Sequence, residues 1–333
     1  MYDRKTWIVL ALCGVLIAIN LHFASKNKPP VEPKALITEQ QPEIPDEAPA
    51  GMSVETPPPP TAEEFVVLEN DKVAFTLSNI GGGIKFAELK EQKNVGETSK
   101  VRINRHGAGP IAGFVDDQEK IENSTYAYKA DQSVPGKTAV FIAKLPTGVI
   151  AKKTFSLETS DIPGKDYFLR LSLALEYTGT GNFDLSRYGL FLGAAAPLYE
   201  KERPTYTGFF WYSDSKMHFH AANDFKGGML SSAKSVINSR DDSEGDIEYA
   251  GVTDQFFTTV IRPVEPEKTP VWGKPQQVEL SSGGKTLTAV RAAISLPSVS
   301  LSPGSPVTLE YRIFNGPKNN TILRKLDNAE GTG

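Results

Sequence analysis

His218 and His220 flank Phe219, so on an extended strand both imidazoles point to one face. Two imidazoles in register suggest a metal pair, but zinc needs a third ligand and usually a fourth. The remaining histidines do not supply one: His22 lies in an apolar N-terminal run and His106 is remote in sequence. No carboxylate is marked as completing the set. The pair is therefore expected to be a polar, partly buried strand face, with His218 and His220 kept as a weak alternative site. Gly81-Gly82-Gly83 follows a strand pattern but lacks the GxxxxGK[ST] spacing that cradles a phosphate, so it is expected to form a tight turn or bulge requiring positive φ.

Other chemistry-bearing patterns are thinner. The acidic run Asp241-Asp242-Ser243-Glu244-Gly245-Asp246 misses calcium-loop spacing and its terminal Glu, so it is expected to be a solvated loop. There is no GxSxG, and the single cysteine, Cys13, lies within the apolar N-terminal run, so neither nucleophile device stands in a usable place. Two glycosylation sequons, at Asn123 and Asn319, match a pattern that is frequent by chance. No catalytic residue, metal or cofactor is assigned, and the chain is expected not to be an enzyme.

The elements that would position these residues are strands. From Phe65 onward apolar residues alternate with period two, and helical periodicity is almost absent. Val73, Phe75 and Leu77 share one face; so do Tyr167, Leu169, Leu171, Leu173 and Leu175; so do Val307, Leu309, Tyr311 and Ile313. Further strands are expected at Ala139–Leu145, Val149–Leu157, Leu185–Leu192, Thr207–Tyr212, Asp254–Ile261 and Thr288–Leu296, with Gly, Pro, Asn and Asp clusters between them. So many strands without a second Pro-rich linker point to one large antiparallel two-sheet sandwich rather than a string of small domains. Only Asn320 to Asn328 reads as a short C-terminal helix.

Before the β region the composition changes twice. Residues 6–25 hold no Asp, Glu, Lys or Arg and are long enough to cross a bilayer as a helix. A cleaved signal peptide fits less well, because the apolar run is too long and His22-Phe23-Ala24 is a poor cleavage site. A lipid-attachment reading at Cys13 fails because Leu12 is not small. Residues 26–64 contain 10 of the 24 prolines, including Pro57-Pro58-Pro59-Pro60, and read as a disordered, semi-stiff linker. The formal charge of -4 excludes a generally basic nucleic-acid binder, and one cysteine excludes a disulfide framework. Lys and Arg stand on both sides of the span, so the charges alone leave its orientation open.

Several local patterns, in order, resemble the N-terminal half of the bacterial YidC membrane protein insertases. Asp3-Arg4-Lys5 leads into the apolar span and the Pro-rich acidic tail. Val73–Ser78 runs into Asn79-Ile80-Gly81-Gly82-Gly83-Ile84 and then Ala87-Glu88-Leu89. Ala250-Gly251-Val252-Thr253-Asp254-Gln255-Phe256-Phe257 is similar to a family strand, and Phe314-Asn315-Gly316-Pro317-Lys318 to the end of the family's periplasmic domain. The motif positions Gly81, Gly82, Gly83, Gly251, Phe256, Phe257, Gly316 and Pro317 are expected to be structural.

The resemblance implies an all-β fold: a large antiparallel β-supersandwich like that of the mutarotases. The expected layout is a cytoplasmic tail at 1–5, an inner-membrane helix at 6–25, the linker at 26–64, the periplasmic domain at 65–327 and a tail at 328–333. It also implies an accessory role assisting insertion and folding of inner-membrane proteins, with Sec translocon components or nascent membrane proteins as partners. The family's insertase groove lies in further membrane helices that this chain does not reach. The chain is therefore expected to be a fragment or a free-standing version, without insertion activity of its own. Two alternatives stay open: a sugar epimerase related to the mutarotases, and an envelope scaffold. Neither oligomeric state nor partner surface is legible.

Overall fold

The computed structural model describes residues 62–319 apart from 95–97, 159–161, 163, 228–231, 240–244 and 282. The expected membrane span, most of the linker, Cys13 and the helix at 320–328 lie outside those residues. Among the described residues no helix is long and apolar enough to cross a membrane. The fold described is that of the unit formed by residues 58–333.

The unit is antiparallel β throughout its named strand pairs. It opens with β1 (Phe65–Glu69), β2 (Val73–Ser78), β3 (Gly83–Lys93) and β4 (Lys100–Ile103), which pair in sequence order as a four-stranded sheet. Then come β5 (Phe114–Asp116), β6 (Ala127–Tyr128), β7 (Thr138–Lys144), β8 (Val149–Leu157), β9 (Phe168–Tyr177), β10 (Phe183–Asp184) and β11 (Tyr188–Ala195). A hairpin of β12 (Gly208–Ser213) and β13 (Lys216–Ala221) precedes β14 (Ile237–Asn238), β15 (Tyr249–Thr253) and β16 (Phe257–Pro263). The last strands are β17 (Val271–Glu279), β18 (Thr286–Ser295), β19 (Ser300–Leu301) and β20 (Val307–Pro317).

Two larger sheets carry the core. One has nine strands in the order β13-β12-β15-β16-β20-β9-β8-β7-β6, and the other has five in the order β14-β17-β18-β11-β5. They pack through β11 and β18 on one side and β12, β15 and β16 on the other. Alternation explains which face is buried: β9 turns Leu169, Leu171, Leu173 and Leu175 inward and Arg170 and Glu176 outward. Phe209 and Trp211 from β12 meet Val290, Ala292 and Ile294 from β18 within one continuous cluster. Each fully buried Leu or Phe in such a cluster contributes roughly 1.5–3 kcal/mol.

The structure moves several expected boundaries, each for a local reason. The strand expected at Leu185–Leu192 begins as a 3-10 turn, Leu185–Arg187, because the Asp184 side chain accepts from Ser186 N; the strand is β11. The strand expected at Asp254–Ile261 starts at Phe257, since Asp254 is spent on a turn. Glu63 and Glu64, expected in the linker, are already part of the fold. Glu63 accepts from the Ser78 hydroxyl at 2.7 Å, and Glu64 N donates to Asn79 Oδ1 at 2.8 Å.

One inward position of β8 breaks the apolar rule. Lys153, between Ala151 and Phe155, is fully buried. Its Nζ donates to the carbonyls of Gly81 at 3.0 Å and Ala112 at 2.7 Å, and sits over the rings of Phe114 and Tyr126. The side-chain nitrogen thus pins two loops to the nine-stranded sheet. Burial pushes its pKa from 10.5 down to about 7, against a smaller opposing pull from Glu122. Between those values the unfolded chain binds a proton that the folded chain has released, so this residue makes stability rise with pH. Comparing denaturant unfolding of the native chain and Lys153→Met across that window should show the rise, up to about 1.4 kcal/mol per pH unit, only in the native chain. Parallel curves for the two proteins would contradict the assignment.

Candidate functional site

The described residues that concentrate perturbed charge, a cavity and an exposed aromatic lie where the β15–β16 turn meets the end of β20. Asp254 forms the turn. Its Oδ1 accepts from Phe256 N and Phe257 N, each at 2.8 Å, the short-range bonding that makes Asp a turn residue. The stretch Ala250–Phe257, expected as one strand, is therefore β15, a turn and the start of β16. Phe257 is directed into the core and Phe256 out of it, 46% exposed.

Two distant segments lock this turn. Glu202 receives Leu198 N at 2.7 Å on Oε2 and Gln255 N at 3.2 Å on Oε1. Tyr199 adds a hydroxyl bond to Gln255 Oε1 at 3.0 Å. From the other side β16 pairs with β20, placing Phe257 opposite Pro317 and Thr258 opposite Gly316. Lys318 then donates its backbone N–H to Phe256 O at 2.7 Å and its Nζ to Asp254 O. The two motif stretches, at 250–257 and 314–318, are thus physically joined.

The electrostatics follow from burial. Asp254 is pushed from 3.8 up to about 7 by desolvation, helped by Glu202 and opposed by its two amide bonds and Lys318. Burial also raises Glu202 and lowers Lys318. His106 lines the same cavity as Asp254, and burial, with a smaller push from Arg105, holds it below the ordinary imidazole range. That cavity has a volume of about 70 Å³. Sites for small molecules usually offer roughly 300 Å³ or more. Next to it, sharing Asn94, Val101, Leu198 and Phe257, is an open groove of about 410 Å³. Lys93, Phe256, Pro317 and Lys318 also line it. Asp254 Oδ1 and both oxygens of Glu202 accept from backbone amides, an arrangement that holds the loop rigidly. The groove, by contrast, has room for side chains of a bound polypeptide.

The remaining sequence-marked residues lie elsewhere. Gly81 and Gly82 adopt φ of 73° and 55°, and a Cβ on Gly82 would stand 2.7 Å from the Tyr126 ring. Gly83 abuts Ile111 O, and Gly316 packs on Phe314 and Tyr167. Gly251 sits in mid-strand because a Cβ there would come within 2.2 Å of Thr259 O. His218 and His220 do share one face of β13. The two-residue turn at Asp214 and Ser215, with φ of 53° and 58°, sets that register. His218 stacks on Trp211 with centroids 4.9 Å apart, and His220 stacks on Phe209 and Trp211. His220 Nδ1 lies 3.5 Å from Asp224 Oδ2. Among the described residues no group of three His, Cys, Asp or Glu side chains is placed to hold a metal. Sequence reasoning missed Asp254 and Glu202 as a pair, because 52 positions separate them and nothing local marks Glu202. A run of Asp followed two residues later by paired aromatics was the one available signal.

Asp254→Asn keeps the Oδ1 acceptor and removes the titration. Between pH 3.8 and about 7 the folded native chain binds the extra proton, so its stability should fall as pH rises through that window. Thermal or urea unfolding of Asp254→Asn should lack that fall. Asp254→Ala, which leaves both amides without the carboxylate, should lose about 1–3 kcal/mol. Equal pH profiles for the native chain and the Asn variant would show that Asp254 does not carry the shift.

Residues 66–331 match the family described as the YidC periplasmic domain. The chain is 22% identical over 278 residues to the membrane protein insertase YidC of Geotalea uraniireducens, a stretch covering 78% of this chain and 46% of that protein. The protein of the same name from Geobacter sulfurreducens is 24% identical over 270 residues, covering 77% of this chain and 45% of its own length. The chain thus spans about half the length of the curated relatives it matches. Among solved structures, a putative aldose 1-epimerase from Escherichia coli K12 aligns with a TM-score of 0.44 and 9% identity, over 77% of this chain and 100% of that one. A galactose mutarotase-like protein from Lactobacillus casei aligns with a TM-score of 0.45 and 10% identity, over 76% of this chain and all of that one.

Proposed function

We propose, because the chain belongs to the YidC periplasmic-domain family, that it is a membrane-anchored accessory domain of a YidC-type insertase that binds polypeptide at the groove beside Phe256. The bound chain is a translocon component or a nascent inner-membrane protein. The N-terminus faces the cytoplasm, residues 6–25 form the anchor, and the β domain lies in the periplasm. No insertion activity is assigned to the matched residues themselves.

The observation that carries this reading is the presentation of Phe256. A large aromatic side chain, left half exposed, projects from a turn fixed by Asp254, Glu202 and Lys318, beside a groove wide enough for neighbouring side chains. Rigid aromatics next to open grooves are the usual anchors of protein recognition, because they bury much area at little entropic cost. Lys93 at the groove adds a preference for carboxylate-bearing segments.

The epimerase reading has one feature in its favour, the shared cavity of His106 and Asp254. It is weaker because the cavity is small and Asp254 is already bonded to two amides. An anomerisation assay with no rate above buffer disposes of it. The scaffold reading is separated by depletion: loss of the protein should reduce insertion of inner-membrane proteins, which a scaffold unrelated to insertion would leave intact.

Cross-linking the full chain to translocon components or nascent membrane proteins should capture them above background. Phe256→Ser should lower that capture roughly tenfold, the worth of one buried aromatic side chain, while leaving the unfolding midpoint nearly unchanged. Capture that is undiminished in Phe256→Ser would remove the groove from the account.

A further inference from the structure

An open sheet ends in two edge strands, and an unprotected edge is a template for a further strand. In this fold most edges are short, charged or covered. At one end of the nine-stranded sheet β6 is two residues long. The five-stranded sheet ends on β14, of two residues, and β5, of three. The four-stranded sheet ends on β4, which carries Lys100 and Arg102, and on β1, where Glu69 N donates to Gly136 O at 3.3 Å. β13 is different. It is six residues long, forms the other end of the nine-stranded sheet and, among the described residues, pairs with β12 alone. It holds no Pro, its one Lys stands at its first position, and no bulge interrupts its register.

The hairpin geometry fixes which groups face the open side. Asp214 and Ser215 both have positive φ, as a two-residue hairpin turn requires, so the flanking pair Ser213 and Lys216 is a hydrogen-bonded one. Such pairs alternate along an antiparallel ladder. His218 and His220 therefore turn their backbone groups to β12, and Met217 and Phe219 turn theirs to the open edge. The side chains of Met217 and Phe219 stand on the outer face of the sheet, 49% and 43% exposed. The edge stops at Ala221, whose N–H is taken by Asp224 Oδ2 at 3.0 Å.

We propose that β13 pairs with itself: a second copy of this chain adds its own β13, antiparallel, across a two-fold axis through His218. Open-edge residues must meet open-edge residues, and this register sets Met217 of each copy against Phe219 of the other. Both exposed apolar side chains are then covered, on one face. The same register brings the exposed Lys216 opposite His220, beside the Asp224 carboxylate that lies 3.5 Å from His220 Nδ1. Symmetry makes that opposite-charge contact twice. Centring on Phe219 instead would set Met217 against Ala221, which is already buried, and Lys216 against Ala222, also buried. The doubled charge match and the mutual apolar cover favour a second copy over an unrelated extended peptide. Main-chain bonds supply the attraction, and the alternate side chains set the register.

The test uses the full chain in vesicles, with Cys13→Ser to remove the native thiol, and mild oxidation read on a non-reducing gel. Across the axis the two His218 positions form a non-hydrogen-bonded pair about 4.5 Å apart at Cα, within the span of a disulfide. His218→Cys should therefore give a covalent dimer. Lys216→Cys, whose copies face His220 rather than each other, should give little or none. His218→Cys removes a ring stacked on Trp211, so a second design leaves that ring in place. Chains bearing Met217→Cys and chains bearing Phe219→Cys should join when mixed and stay single when kept apart. No dimer from either design overturns the proposal, and so does an equal yield from Lys216→Cys. In native membranes a photo-reactive analogue at position 219 should give adducts of twice the chain mass. Adducts with other polypeptides only would assign the edge to an unrelated strand and overturn the second copy. Phe256 lies on a different turn, so capture of polypeptide at its groove is tested separately.

Discussion

Placing a carboxylate among strand ends, away from water, costs free energy, and at Asp254 the fold sustains that cost because two consecutive amides find their acceptor there. The turn that results determines much else. It sends Phe257 into the core and Phe256 outward, and it lets β16 align with β20 so that Lys318 closes over the turn from above. Glu202 fastens the same turn to the loop after β11. Without that carboxylate, the groove beside Phe256 would be walled by a mobile loop, and an aromatic on a mobile loop loses affinity to the entropy of ordering it.

Buried ionisable groups are held by one device in this fold. Lys153 and Asp254 are both sealed and both answered by backbone groups, two carbonyls for the cation and two amides for the anion. Backbone partners are fixed in space by the sheets, so each buried group acts as a clamp on the loops that supply them.

The strands were legible wherever one face is buried, because period-two alternation is a direct image of burial. Val73–Ser78 and Val149–Leu157 appear with the bounds that the alternation marks. The single-face placement of His218 and His220 followed from their spacing alone. Sequence reading failed where a side chain captures its own backbone: Asp184 and Asp254 each open a turn that apolar patterning reads as continuous strand. It also could not see Lys153 as a clamp, since the residues that answer it lie 41 and 72 positions away. The same distance in sequence hid the site, whose members come from β4, the loop after β11, the β15–β16 turn and the end of β20. What the motif order did convey was the family, and the structure adds the physical reason those motifs travel together: two of them are hydrogen-bonded to each other.

The central claim is that polypeptide is bound at the groove beside Phe256. A photo-reactive phenylalanine analogue placed at position 256 of the full chain in its native membrane tests it most directly, with the same analogue at Val134, 51% exposed on another loop, as the control. The account predicts cross-linked adducts to translocon components or newly made membrane proteins from position 256 and few or none from position 134. Equal yields at the two positions, or none at either, would contradict it.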